Sequence, residues 1–150
     1  MGIGAPCSPG GTHATGARLE RLILDTSVLV AGERIGSSLD AVVADDDDVA
    51  IAAITAAELL VGVELASRGR RDRRLAFVER ILGSVPVEVY DLVVARAHAS
   101  LLAYTRRTGV PRGAHDLIIA ATALASDRTV VSADALAFEG LPEVRSRLVL

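Results

Sequence analysis

At 150 residues, 51% hydrophobic and 3% aromatic, without Trp, the chain has the size of one domain and a core made of Ala, Val, Leu and Ile. That core suits helices on a parallel sheet better than a sandwich of aromatic cross-strand pairs. The net charge of -3 denies the molecule a general attraction for nucleic acid. The absence of Lys among its 16 basic residues excludes P-loop and Schiff-base chemistry, and the single Cys7 excludes a disulfide framework or a thiolate zinc site.

Residues 1–18, rich in Gly, Pro, Ser and Thr, lack the basic start and apolar stretch of a signal peptide and read as a disordered tail before a domain at 19–150. No apolar run reaches the ~18 residues of a membrane span, and the low cysteine content suits a reducing cytoplasm.

Arg21–Leu24 reads as a buried strand, followed by a helix capped by Ser27 and running to about Gly32. A short helix is expected over Leu39–Ala44, and the acidic run Asp45–Asp48 reads as a solvated loop. Val49–Ile54 is the second strand. Thr55–Arg68 and Asp72–Leu82 are helices flanking an arginine-rich junction, Arg68–Arg74, which reads either as a solvated surface or as a contact for RNA or an acidic peptide. Val85–Val89 is the third strand. Asp91 caps a helix to Arg107 that Gly109 ends, Asp116–Ser126 is a buried helix, Arg128–Ser132 is the fourth strand, and a last strand lies near 145–150. This alternation predicts an α/β sandwich with a mostly parallel central sheet between helices.

Four acids stand where a hydrophobic run ends or a helix begins: Asp25, Glu58, Asp116 and Asp134. A parallel sheet collects such positions at its carboxyl edge, where open α/β folds place their ligands. Carboxylates gathered without partners repel one another, and a hard divalent cation removes that conflict. The pattern therefore points to a metal-dependent phosphoryl-transfer or hydrolytic site.

Each acid also has a structural reading. Asp25 can cap the first helix, and Thr55-Ala56-Ala57-Glu58 forms a capping box. Asp116 can serve a helix dipole, and Asp134 a turn. His115, adjacent to Asp116, reads as a packing or capping residue rather than a general base.

The stretches Leu22-Ile23-Leu24-Asp25-Thr26-Ser27-Val28-Leu29, Ile54-Thr55-Ala56-Ala57-Glu58-Leu59-Leu60 and Gly113-Ala114-His115-Asp116-Leu117-Ile118-Ile119, in this order, resemble the PIN-domain family, and within it the VapC-type toxins of type II toxin–antitoxin pairs. A weaker match runs from Val130 through Asp134 to Pro142. The resemblance implies a PIN-like three-layer sandwich and a Mg2+- or Mn2+-dependent endoribonuclease using one or two ions. Asp25, Glu58, Asp116 and Asp134 are carried over as catalytic residues, with Asp25, Asp116 and Asp134 as the metal ligands. Thr26 and Ser27 are implied to assist there, and Arg112 is a candidate for binding the scissile phosphate. A homodimer and a VapB-type antitoxin are implied as well. Relatives commonly carry an acid just before the Phe, where this chain has Ala137. The alternative is a catalytically inactive PIN-like scaffold that binds RNA or a protein.

Overall fold

The computed structural model describes residues 2, 19–36 and 44–149. The expected tail, apart from Gly2, and the expected helix at 39–44, apart from Ala44, lie outside the described residues. The described chain forms β1 (Arg21–Leu24), α1 (Thr26–Ile35), β2 (Asp48–Ala52), α2 (Ala53–Glu64), α3 (Arg68–Ser84), β3 (Val87–Glu88), α4 (Leu92–Thr108), α5 (Ala114–Ser126), β4 (Thr129–Ser132) and β5 (Ser146–Leu148). All strand pairings are parallel, in the order β3-β2-β1-β4-β5. From β1 the chain winds outwards through β2 and β3, then returns to β4 on the other side of β1. The gap between β1 and β4 is therefore a topological switch point, the place where such sheets bind ligands.

The sheet is covered on both faces, because successive strand side chains point to opposite sides. Leu22, Leu24, Ile51 and Val131 pack with α1, α2 and α3 through Leu29, Leu59, Val63 and Val78. Ile23 and Val130 pack with α4 and α5 through Leu101, Ile119 and Ala120, and Phe138 seals that core. The expected three-layer α/β architecture is the one observed.

Several boundaries differ. β2 begins at Asp48, which pairs with Arg21 and Arg128, so the acidic run is not wholly a solvated loop. Asp47 also accepts hydrogen bonds from the amides of Glu20 and Ala44. The expected helix to Arg68 stops at Glu64, and α3 continues to Ser84, so β3 shrinks to two residues. The Val85 amide still bonds back to Ile81, and Pro86 has no amide to donate to a ladder. Asp91 caps α4 by accepting the Val94 amide at 3.0 Å, and Gly109 ends it at φ 69°, both as expected.

The capping box does not form. α2 starts at Ala53, which places Thr55 inside the first turn and Glu58 a turn further on. Thr55 is fully buried, and its hydroxyl has no hydrogen-bond partner among the described residues. A helical Thr ordinarily bonds the carbonyl four residues back, but that residue here is Ile51 in β2. Thr55→Val keeps the shape and removes the orphaned group. We expect it to stabilise the fold by about 1 kcal/mol, raising Tm by roughly 2–4 °C in thermal unfolding. An unchanged or lowered Tm would mean the hydroxyl is satisfied in solution.

Candidate metal and nuclease site at the switch point

Asp25 leaves β1 at the switch point, and its amide extends the ladder by donating to Val131 at 2.9 Å. The residue stands at the N-cap position of α1 in extended conformation, yet its side chain does not cap the helix. The carboxylate is buried, at 5% exposure, and is held through Oδ2. The Ser27 hydroxyl donates to that oxygen at 2.8 Å and the Ser132 hydroxyl at 2.9 Å. Ser27, expected as the cap, is instead a clasp: its oxygen also accepts the Ala133 amide and so ties α1 to the end of β4.

Asp134 follows β4. Its amide donates to Ser132 Oγ and its own Oδ1 accepts the Leu136 amide at 2.9 Å, which is the turn geometry open to it from sequence. Glu58, freed from the capping box, accepts the Thr26 hydroxyl at 2.9 Å on Oε1 and lies 3.3 Å from His115 Nδ1 through Oε2. His115 is half exposed, so it does not pack in the core, and the N-cap of α5 is Gly113 with no side-chain cap hydrogen bond, so the expected packing or capping role gives way to the contact with Glu58.

Asp116 lies in the first turn of α5, which starts at Ala114. Its carboxyl pKa is raised above the usual 3.8, chiefly by burial and then by the charges of Asp25, Asp134 and Glu58, with a smaller opposing effect of His115. Asp116 thus feels all three of the other predicted acids. Gly113, at the N-cap of α5, makes room for this arrangement: a Cβ there would lie 2.6 Å from Asp116 Oδ2. Arg112 donates through Nη1 and Nη2 to the carbonyls of Leu136 and Glu139, strapping the loop after Asp134 to the start of α5. Arg112, Gly113, Asp116 and Asp134 line a cleft of about 410 Å3. Ala137 is buried under it at 8% exposure and contributes no ligand.

Sequence reading missed Ser132 and Gly113. A serine at a strand end and a glycine before a helix carry no pattern of their own. Only the closeness of β1 to β4, and of Gly113 to the Asp116 carboxylate, gives them a role.

Among the described residues, no three His, Cys, Asp or Glu side chains form a ready-made metal cage. The donor set still fits Mg2+ or Mn2+. It consists of carboxylate and hydroxyl oxygens whose charges conflict, and Mg2+ commonly binds through one or two carboxylates while keeping its waters. No helix among the described residues is long and apolar enough to cross a membrane.

The fold and site define an α/β protein with an acidic centre at the switch point of a parallel sheet. The chain belongs to the PIN-domain family, whose model matches residues 22–141. Its similarity within that family runs to VapC-type toxins. A Ribonuclease VapC of Rickettsia bellii is 27% identical over 124 residues, spanning 82% of this chain and 92% of the relative. Toxin FitB of Neisseria gonorrhoeae is 32% identical over 129 residues, spanning 78% and 90%. A chain of the VapBC-5 toxin–antitoxin structure from Mycobacterium tuberculosis superposes with TM-score 0.70 at 32% identity, covering 85% of this chain and 97% of that one. At 20% identity, a chain of the VapBC2 structure from Rickettsia felis shares the fold with TM-score 0.78, covering 86% of this chain and 98% of that one.

Proposed function

We propose that this chain is the toxin of a type II toxin–antitoxin pair, a Mg2+- or Mn2+-dependent endoribonuclease neutralised by a VapB-type antitoxin. The observation that carries this reading is the convergence of Asp25, Glu58, Asp116 and Asp134 at the switch point, where burial and the other three carboxylates raise the pKa of Asp116. The similarity to a Ribonuclease VapC and to chains of VapBC structures supports it. Residues 19–150 would act as one nuclease domain in the cytoplasm, as a homodimer and within a complex with the antitoxin.

Asp25, Asp116 and Asp134 would hold the ion, or two ions. When bound, it lowers the pKa of water and neutralises charge developing on the phosphate. The protein's own groups supply the rest. Ser27 and Ser132 fix Asp25 through Oδ2. Thr26 and His115 hold Glu58 by its two oxygens. Arg112 lines the same cleft, and although Nη1 and Nη2 each donate to a carbonyl of the loop after Asp134, each keeps a second N–H with which it would bind the scissile phosphate. Water attacks phosphorus in line, the bond to the leaving oxygen breaks, and a site carboxylate takes the water's proton.

Cleavage of a total-RNA pool by the purified chain with Mg2+ or Mn2+ tests the reading, with EDTA as control. Discrete fragments that vanish with EDTA are expected. Intact RNA under all metals, with folded protein free of antitoxin, would instead favour a binding scaffold. Gly113→Ala makes a sharper test of the geometry. Gly113 has φ -58° and ψ 136°, which Ala adopts freely, so the fold is retained while the Asp116 carboxylate is displaced. We expect kcat/KM for RNA to fall about 10- to 100-fold, with weakened cation binding in a titration. Unaltered kinetics would show that Asp116 tolerates the shift.

A further inference from the structure

The cleft at the acidic centre is mixed in chemistry. Arg112, Asp116 and Asp134 line it, and so do the apolar Val110, Pro111 and Leu136. These three come from two loops, one between α4 and α5 and one after β4. Val110 is 50% exposed and Leu136 72%. Single exposed apolar side chains are ordinary on any surface, but three from separate loops meeting in one cleft are not scattered. Leu136 is also fixed in place. Its amide donates to Asp134 Oδ1 at 2.9 Å, and its carbonyl accepts from Arg112 Nη1. Both of its backbone groups are thus tied to residues of the acidic centre, while its side chain stays in contact with water. The ring of Pro111 fixes its own φ. The apolar wall is therefore built before any ligand arrives, which lowers the ordering cost of binding.

We propose that Val110, Pro111 and Leu136 form a wall against which the nucleobase next to the cleaved phosphodiester rests. The inference rests on the nuclease reading and adds to it a contact with the base rather than with the backbone. A nucleotide carries an anionic phosphate and, one sugar away, a flat ring with apolar faces. The cleft matches both parts: a guanidinium and the carboxylates that would hold the cation stand beside aliphatic side chains. Its volume of about 410 Å3 lies within the roughly 300–1,000 Å3 of sites for small ligands, which leaves room for base and sugar as well as phosphate. Among the described residues no aromatic side chain lines this cleft, so the base face is met by aliphatic packing rather than by ring stacking. Such packing has no hydrogen-bond direction, and every base has an apolar face. The wall therefore discriminates a base from a bare sugar more strongly than one base from another.

The test is fluorescence anisotropy with Mg2+ over a salt series. It compares a mixed-sequence single-stranded RNA dodecamer with an abasic ribose-phosphate strand of the same length and charge. The full chain carries Asp116→Asn so that the RNA stays intact. Adding Val110→Ala and Leu136→Ala should raise Kd for RNA about tenfold. Both side chains are exposed, and alanine keeps the backbone bonds to Asp134 and Arg112, so Tm should hold. The slope of log K against log[salt] should stay the same, because no phosphate contact is lost. On the abasic strand the two proteins should bind alike. Val110→Ile with Leu136→Met, which keep the apolar area, should bind RNA as tightly as the parent. An unchanged Kd for RNA in the alanine protein would overturn the proposal and leave the wall to a protein segment. So would an equal loss on the abasic strand or a changed slope, since either places the effect on the backbone. Cleavage of total RNA by the unmodified chain is followed in parallel. Cleavage together with unchanged alanine-variant binding removes the wall alone; absence of both cleavage and RNA binding removes the proposed function with it.

Discussion

Asp116→Asn is expected to abolish RNA cleavage and at the same time to make the metal-free protein more stable. The carboxyl of Asp116 is pushed up by burial and by Asp25, Asp134 and Glu58. The folded state therefore takes up a proton on this group more readily than the unfolded chain does. Ionised Asp116 costs stability above its raised pKa, and that cost disappears as pH falls through it. In EDTA at neutral pH the asparagine protein should melt higher by on the order of 1–3 °C. The gap should close as pH is lowered towards the ordinary carboxylate range. Added Mg2+ should reverse the order, because it stabilises only a form that binds it. Activity should fall at least about 10³-fold, a loss of about 4 kcal/mol of transition-state stabilisation. Thermal melts of both proteins across pH, with and without Mg2+, check the stability changes, and RNA cleavage rates with Mg2+ check the loss of activity. An asparagine protein that melts lower in EDTA at pH 7 would show that the acidic centre is not strained.

Arg128→Ala is expected to weaken the fold far more than Asp116→Asn strengthens it. Arg128 precedes β4 and is only 6% exposed. Its guanidinium reaches across the sheet: Nη1 donates to the carbonyls of Leu22 and Asp48 and to Asp48 Oδ1, while Nε and Nη2 engage Glu88 Oε1. One side chain thereby joins the starts of β4, β1 and β2 to the short β3, whose two residues provide little ladder of their own. Removing it leaves the buried Leu22 carbonyl and the part-buried Asp48 carbonyl without this donor and Glu88 without its cation. Glu88 and Asp48 are each partly exposed, at 32% and 45%, and water recovers some of the loss. We expect about 3 kcal/mol of destabilisation, a drop in Tm of roughly 6–12 °C, measured by chemical and thermal unfolding. A loss under about 1 kcal/mol would mean the sheet's own ladder suffices at this edge.

The sequence by itself determined the layer architecture. Runs such as Leu22-Ile23-Leu24 and Val130-Val131 are apolar at successive positions, which only a strand covered on both faces requires, and the helices between them force parallel pairing. It also marked acids that come near one another, because Asp25 closes a strand run, Asp134 follows one and Asp116 stands in the first turn of a buried helix, where the charges of Asp25, Asp134 and Glu58 act on it. Local caps were legible where the chemistry is local, as at Asp91 and Gly109.

Tertiary structure alone decided the partners. Thr55 and Glu58 have the spacing of a capping box, but burial of Thr55 against the sheet starts α2 two residues earlier and releases Glu58 to Thr26 and His115. The length of β3 depended on how far α3 ran, to Ser84, with the Val85 amide still bonded to Ile81. Gly113, Ser132 and Arg128 were silent in sequence because each acts through atoms remote along the chain or through the space its side chain leaves open. Short-range pattern records which face of an element is apolar. It does not record which polar atoms meet when distant strands come to lie side by side.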